Sequence, residues 1–440
     1  MNHHSTSAVG APPADVSAAE EAATYRKVAW RIIPFLMLCY IVAYLDRVNV
    51  GFAKLQMLSD LKFSDTVFGL GAGIFFLGYF FFEVPSNVIL HRVGAKVWIA
   101  RIMITWGIVS GAFMFLNGEM MFYVMRFLLG VAEAGFVPGI ILYLTYWYPS
   151  ARRAKIIAAF MTAIPLAGVV GGPLSGWIMD SWAGANGWAG WQWMFLLEAV
   201  PSILMGVATL AYLDNGIRSA KWLNEREKQI LEGAILHDTK EKVEHPSLGA
   251  VFGDIRVWWM SLIYFSSVMG LYGLSFWMPT LIKAAGVKGV LQVGLLTAIP
   301  NAAAVVAMLY FGHSADKHRE RRWHMVIPML LGAVGLIGST LAAQNTVVAI
   351  AFLSLASAGV ITSLPLFWSL PTAFLTGVSA AAGIAVINSV GNLAGFAAPY
   401  LIGWIKDLTA STDIGMYVLA GFLVAGVALI LSVPAKLVNR

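Results

Sequence analysis

Residues 30–50, WRIIPFLMLCYIVAYLDRVNV, and residues 122–147, FYVMRFLLGVAEAGFVPGIILYLTYW, decide how this chain is read. Each is an apolar run long enough to cross a bilayer, and each carries two ionisable residues: Asp46 and Arg47 in the first, Arg126 and Glu133 in the second. A span needs about 20 mostly apolar residues. A charge at that depth is expensive and ordinarily faces a polar cavity or a partner on an ion or substrate path.

Twelve such runs occur, over 29–50, 68–90, 97–116, 120–147, 156–180, 193–213, 256–282, 291–311, 324–343, 347–370, 380–404 and 415–434. The chain is 59% hydrophobic and 12% charged, with mean hydropathy +0.75. Backbone polar groups in lipid must pair internally, so the runs are helices or strands of a closed barrel. Their length and lack of strict alternation exclude the barrel. The expected fold is an all-α membrane protein of twelve transmembrane helices in two six-helix halves.

The net charge of +6 does not point to nucleic acid, because its distribution is topological. With a cytoplasmic N-terminus, 20 of the Lys and Arg residues fall in cytoplasmic segments and four (Lys54, Lys62, Lys288 and Lys406) in the opposite loops. That bias places both termini in the cytoplasm. The single cysteine, Cys39, allows no intrachain disulfide. Residues 1–24 read as a disordered tail, and His3 and His4 within it as solvated residues rather than metal ligands. The halves are expected over 25–213 and 256–435, with a cytoplasmic linker at 214–255 and a short tail at 436–440. Within the linker, WLNEREKQILEGAIL has Leu223, Ile230 and Leu231 at helical spacing, which predicts an amphipathic helix.

An internal repeat is expected from matching small-residue segments. Gly168, Gly172, Pro173 and Gly176 lie in the fifth run; Gly391, Gly395, Pro399 and Gly403 lie in the eleventh. Small residues four apart let helices approach closely, and transporters commonly contain repeats.

Several stretches resemble the major facilitator superfamily: Gly312-x-x-x-Asp316 with Arg319, Arg321 and Arg322, then Arg126-x-x-x-Gly130, then Gly172-Pro173. His91 stands where the family usually has Asp in the matching first-half loop. YLDRVNVGFA, GAGIFFLGYFFFEVPSNVIL, RFLLGVAEAGFVPGIILYLTYWYP and WQWMFLLEAVPS resemble its anion:cation symporter branch over about 25–435, closest to tartrate-type carriers. The resemblance implies proton sites at the matching acids and substrate recognition at the matching arginines. It also places Tyr44, Tyr79 and Asn388 in the substrate pocket.

The residues themselves agree with that implication. Asp46 and Arg47 are neighbours on a helix and point about 100° apart, so one faces the cavity while the other reaches a neighbouring helix. Arg126 and Glu133 are seven apart and share a face. The arginine fork suits a carboxylate, so Arg47 is expected to clamp substrate. Arg126 is expected to pair with Asp46 or Glu133, and these two acids to couple protons. Tyr44, Tyr79, Tyr272, Trp368 and Asn388 complete the expected pocket. Glu83, Asp180 and Glu198, nearer the helix ends, read as structural.

The function expected is proton-coupled uptake of a small organic carboxylate, such as tartrate or a sugar acid, by a monomer in a bacterial inner membrane. Aromatic acids such as phthalate are the alternative substrates. A proton-coupled exporter and a non-transporting anion sensor are the rival functions. No cofactor is expected, and an enzyme is disfavoured because P-loop, HExxH and GxSxG motifs are missing from the sequence.

Overall fold

The computed structural model describes residues 16–240, 253–342, 344–371 and 377–434. Among these, the regular secondary structure is entirely helical. Twelve helices are long and apolar enough to span a bilayer: Ala18–Leu61, Asp65–Val93, Ala95–Phe115, Glu119–Thr145, Ile156–Ser181, Gly190–Tyr212, Ile255–Ala284, Val290–His318, Arg322–Leu341, Thr346–Phe367, Gly383–Thr409 and Asp413–Ser432. The even number returns the chain to the end of the bundle where it began, here called the terminal end; the other is the distal end.

Two differences from the sequence reading concern the first span. It starts at Ala18, so 18–24 are helical rather than tail. Ser17 caps that start by accepting from the Glu20 amide at 3.1 Å. The span also continues past Asn49 to Leu61. Lys54 is therefore not a loop lysine. It is 4% exposed, pairs with Asp65 at 2.7 Å, and has its ammonium 3.0 Å from the centre of the Trp277 ring. Lys406 also lies in a span, the eleventh, and meets Asp65 at 3.0 Å. The expected tail at 436–440, together with His3 and His4, lies outside the described residues.

The linker helix forms over Glu225–Lys240. Asn224 and Glu227 close a reciprocal cap, each side chain accepting from the other's amide. Leu223, Ile230 and Leu231 are buried, and the helix docks on the first six spans. Glu227 pairs with Lys27 at 2.8 Å, Arg226 with Glu20 at 3.1 Å and Asp238 with Arg153 at 3.7 Å.

The glycine segments of the fifth and eleventh spans meet the opposite half, each at the corresponding helix. A β-carbon added at Gly172 would lie 2.8 Å from the Gly294 carbonyl oxygen, and one at Gly176 2.9 Å from that of Val290, both in the eighth span. Facing the eleventh span, one at Gly69 would lie 2.9 Å from the Pro399 carbonyl carbon, and one at Gly73 2.8 Å from the Phe396 oxygen. Five against eight and eleven against two are the same contact related by the repeat.

At the distal end the halves are also tied by charge. Asp407 of the eleventh span accepts from the backbone N–H groups of Asp65 and Thr66 at 3.1 and 2.7 Å. These amides belong to the first turn of the second span, where helix N–H groups lack partners within the helix. One half thus caps a helix of the other.

Candidate functional site

Arg47 ties three spans together. Its Nε donates to Glu133 Oε1 at 2.9 Å and its Nη2 reaches the same oxygen, while Nη1 donates to Tyr272 Oη at 3.1 Å. Glu133 lies in the fourth span and Tyr272 in the seventh, so the cluster joins the two halves. Arg47, Glu133 and Tyr272 are 5%, 1% and 4% exposed. At that depth an unpaired charge would be strongly destabilising. The guanidinium carbon lies 5.9, 5.4 and 5.5 Å from the rings of Tyr44, Phe75 and Tyr79.

Local backbone explains how these groups are presented. Arg47 sits in the last turn of the helical segment that ends at Val48. Glu133 ends its own segment, and the chain passes through Ala134 and Gly135 before the next begins at Phe136. Gly135 has φ +85°, a left-handed conformation open to glycine at little cost. A β-carbon there would also lie 2.7 Å from Cβ of Ser86.

Asp46 faces the other way, as the helical offset predicts. It accepts from Trp106 Nε1 of the third span at 2.7 Å and from the Ser202 hydroxyl of the sixth. The expected pairing of Arg126 with Asp46 or Glu133 does not form. Arg126 instead donates to the backbone oxygens of Gly71 and Ala72 at 3.2 and 3.1 Å, and its guanidinium lies 5.0 Å from the Phe75 ring centre. Helix carbonyls keep a second lone pair, and the small side chains at 71 and 72 leave theirs accessible. Glu133 is taken by Arg47.

The neutral residues divide. Tyr44 Oη and Ser275 Oγ are 3.2 Å apart, bridging the first and seventh spans. Tyr79 and Tyr272 flank Arg47. Asn388 donates to Glu83 Oε1 at 3.2 Å, which makes Glu83 a link between halves. Trp368 lies apart from Arg47 in the contacts seen, packing 4.9 Å from Tyr264.

Sequence reasoning missed Trp106, Ser202 and Ser275 as partners. Ser275 follows Tyr272 by three residues, one helical turn, and that spacing was the available signal. Glu198, which the sequence reads as structural, is 1% exposed. Its carboxylate accepts from Asn49 Nδ2 at 3.0 Å and Ser175 Oγ at 2.6 Å.

A cavity of about 50 Å³ lies between the first, fifth, seventh, eighth and tenth spans, large enough for water. Tyr44, Asn49, Ser175, Ser275, Asn301 and Ser357 supply its polar wall; the rest is chiefly apolar.

Known proteins resemble this chain in sequence and in fold. The chain is 51% identical over 419 residues to the "Putative metabolite transport protein NicT" of Pseudomonas putida, covering 95% of this chain and 96% of that one. It is 53% identical over 416 residues to a "Putative tartrate transporter" of Agrobacterium vitis, covering 94% and 95%. The solved structure of a D-xylose-proton symporter superposes with TM-score 0.74 at 16% identity, over 92% of this chain and 98% of that one. The sequence pattern of the Major Facilitator Superfamily matches residues 36–399. This twelve-helix membrane protein belongs to the Major Facilitator Superfamily, whose members are transporters and not enzymes.

Proposed function

We propose that the protein takes up a small organic carboxylate, tartrate or a related hydroxy acid, together with protons. The observation that carries this reading is the buried Arg47–Glu133 pair on Tyr272, where the halves meet. Glu133 occupies the fork that a substrate carboxylate would use. Protonating Glu133 frees Arg47, so a proton and an anion replace one internal ion pair. Loss of the proton on the other side restores the pair and expels the anion. Each tenfold proton gradient adds about 1.4 kcal/mol per proton. Asp46 is assigned as the second coupling acid. Arg126, Tyr44, Tyr79, Tyr272, Trp368 and Asn388 are assigned to the substrate path. The names of the two relatives support a metabolite substrate and, in one case, tartrate.

The Lys and Arg bias supports cytoplasmic termini in a bacterial inner membrane, with the distal end facing outward. The contacts at that end then correspond to a state closed to the outside. One chain supplies both halves, so a monomer suffices. The aromatic rings around Arg47 and the mostly apolar cavity wall favour a second reading, in which the acid is aromatic.

Proteoliposome uptake of labelled tartrate, galactonate and phthalate under an inward proton gradient tests both readings. Wild type should accumulate one class of acid; Arg47→Ala should lose it. Glu133→Gln should lose gradient-driven accumulation and still exchange substrate across the membrane. Accumulation indifferent to the gradient for every acid would remove the symport reading.

A further inference from the structure

The Arg47–Glu133 mechanism makes no use of Glu198, yet its surroundings are those of a working acid. The sixth span presents Glu198 and, one turn later, Ser202 to the first span, which presents Asn49 and Asp46. The result is two rungs: Asn49 to Glu198 at 3.0 Å, and Ser202 to Asp46. Both acids are almost wholly buried. Glu133 has an arginine, whereas the partners of Glu198 and Asp46 are all neutral: Asn49 and Ser175 for one, Trp106 and Ser202 for the other.

Two further oxygens in the same place have no partner, Asp46 Oδ1 and Asn49 Oδ1. An ionised carboxylate held only by neutral donors at membrane depth is costly, and two ionised together more so. Such a pair titrates as a unit. The two partners of Glu198, Asn49 and Ser175, also line the water-sized cavity between the halves. Asn49 and Ser175 therefore stand between that cavity and Glu198.

Charged groups on the neighbouring helices are otherwise engaged. Arg101 of the third span turns to the Trp98 ring and the Ala132 carbonyl. Lys54 turns to Asp65 and Trp277. Asp60 accepts from Trp191, two turns from Glu198. Asp180 of the fifth span is exposed. Asp46 is the charge that acts on Glu198, and Glu133 of the fourth span acts on Asp46 in turn.

From this arrangement we propose that Glu198 is a third proton-exchanging acid, reached from the cavity through Ser175 and Asn49 and coupled to Asp46. The assignment of Asp46 to proton coupling rests on the symport reading above; the exchange of protons at Glu198 does not need it.

The test is infrared titration of the purified full chain without substrate, following the C=O band of protonated carboxyl groups through neutral pH. Asp46→Asn and Glu133→Gln identify their own bands by loss. Glu198→Gln keeps an amide able to bond Asn49 and Ser175, so a purely structural role predicts spectra otherwise like wild type. Proton exchange at Glu198 predicts that one titrating band disappears. It also predicts that in Asp46→Asn the Glu198 band titrates at lower pH, because the like charge acting on it is gone. Ser175→Ala, which leaves both acids in place, should move the Glu198 band without deleting it. Titration curves of Glu198→Gln and Ser175→Ala that overlay wild type would overturn the assignment. A failed symport reading would show separately, as liposome accumulation indifferent to the proton gradient.

Discussion

Replacing Asp407 by alanine should unlatch the distal end. The carboxylate accepts from the Asp65 and Thr66 amides at 3.1 and 2.7 Å and sits at the start of the second span. Loss of a side-chain cap costs about 0.5–2 kcal/mol, and loss of an anion from a helix N-terminus about 0.3–1 kcal/mol. Lys406 keeps its pair with Asp65, so it adds nothing to the sum. The closed arrangement should therefore lose about 1–3 kcal/mol relative to one in which the halves have parted at this end. At 1.36 kcal/mol per tenfold, that is roughly a 5- to 150-fold gain in the open population.

The chain offers a convenient reporter. Its single cysteine, Cys39, is buried and can be replaced by alanine. Met278 lines the cavity between the halves and is 4% exposed. In a Cys39→Ala, Met278→Cys background, the labelling rate by an impermeant maleimide applied at the distal face follows the open fraction. Asp407→Ala should raise it by the factor above, up to saturation; Asp407→Asn, which keeps one acceptor, should raise it less. Equal rates in all three folded proteins would refute the view that this cap holds the halves together.

Gly130→Ala should lower the thermal midpoint of the purified protein, because the new β-carbon would lie 2.9 Å from the Phe75 carbonyl carbon and 3.0 Å from the Tyr79 nitrogen. Overpacking of that kind costs about 1–3 kcal/mol. Gly421→Ala, with no atom within 4 Å, is the control, and an equal loss in both would discount the close approach. At the linker helix, burial pushes the Glu227 carboxyl up, but its bonds to Lys27 and the Asn224 amide outweigh this and hold it below the usual glutamate value. A depressed folded-state value means the contribution is complete above about pH 4.5 and fades as the pH falls through the lower value. Hydrogen exchange at 225–228, corrected for intrinsic rates, should rise on acidification in wild type and change less with pH in Glu227→Gln. The same pH dependence in both would show that another group controls the helix start.

The spans were legible because length and apolarity are local properties. The end of the first was not. GFAKLQMLSDL contains Lys54 and reads as a loop until its partners are known, and Asp65 and Trp277 lie on two other spans. The same limit applies to the four membrane charges. Their depth and the offset between Asp46 and Arg47 follow from helix geometry. Whether Glu133 takes Arg47 or Arg126 depends on how the first and fourth spans are set against each other. No periodicity records such settings; the close approach of Gly130 to Phe75, which sets the fourth span against the second, is one example. The burial of Glu198 was hidden for a related reason: its place near a helix end is legible, while its burial comes from the first and fifth spans.

The glycine seams between the fifth and eighth spans and between the second and eleventh have a consequence for speed. A junction made by interlocking long side chains would freeze their rotamers on every closure and release them on every opening, at a cost of up to about 2 kcal/mol for each flexible side chain. At Gly69 and Gly176 the approaching surface is backbone, which has no rotamers to freeze. At those points the two halves can press together backbone to backbone, with fewer side chains to disentangle. A machine that must part and rejoin the same faces in every cycle gains turnover from a seam of that kind.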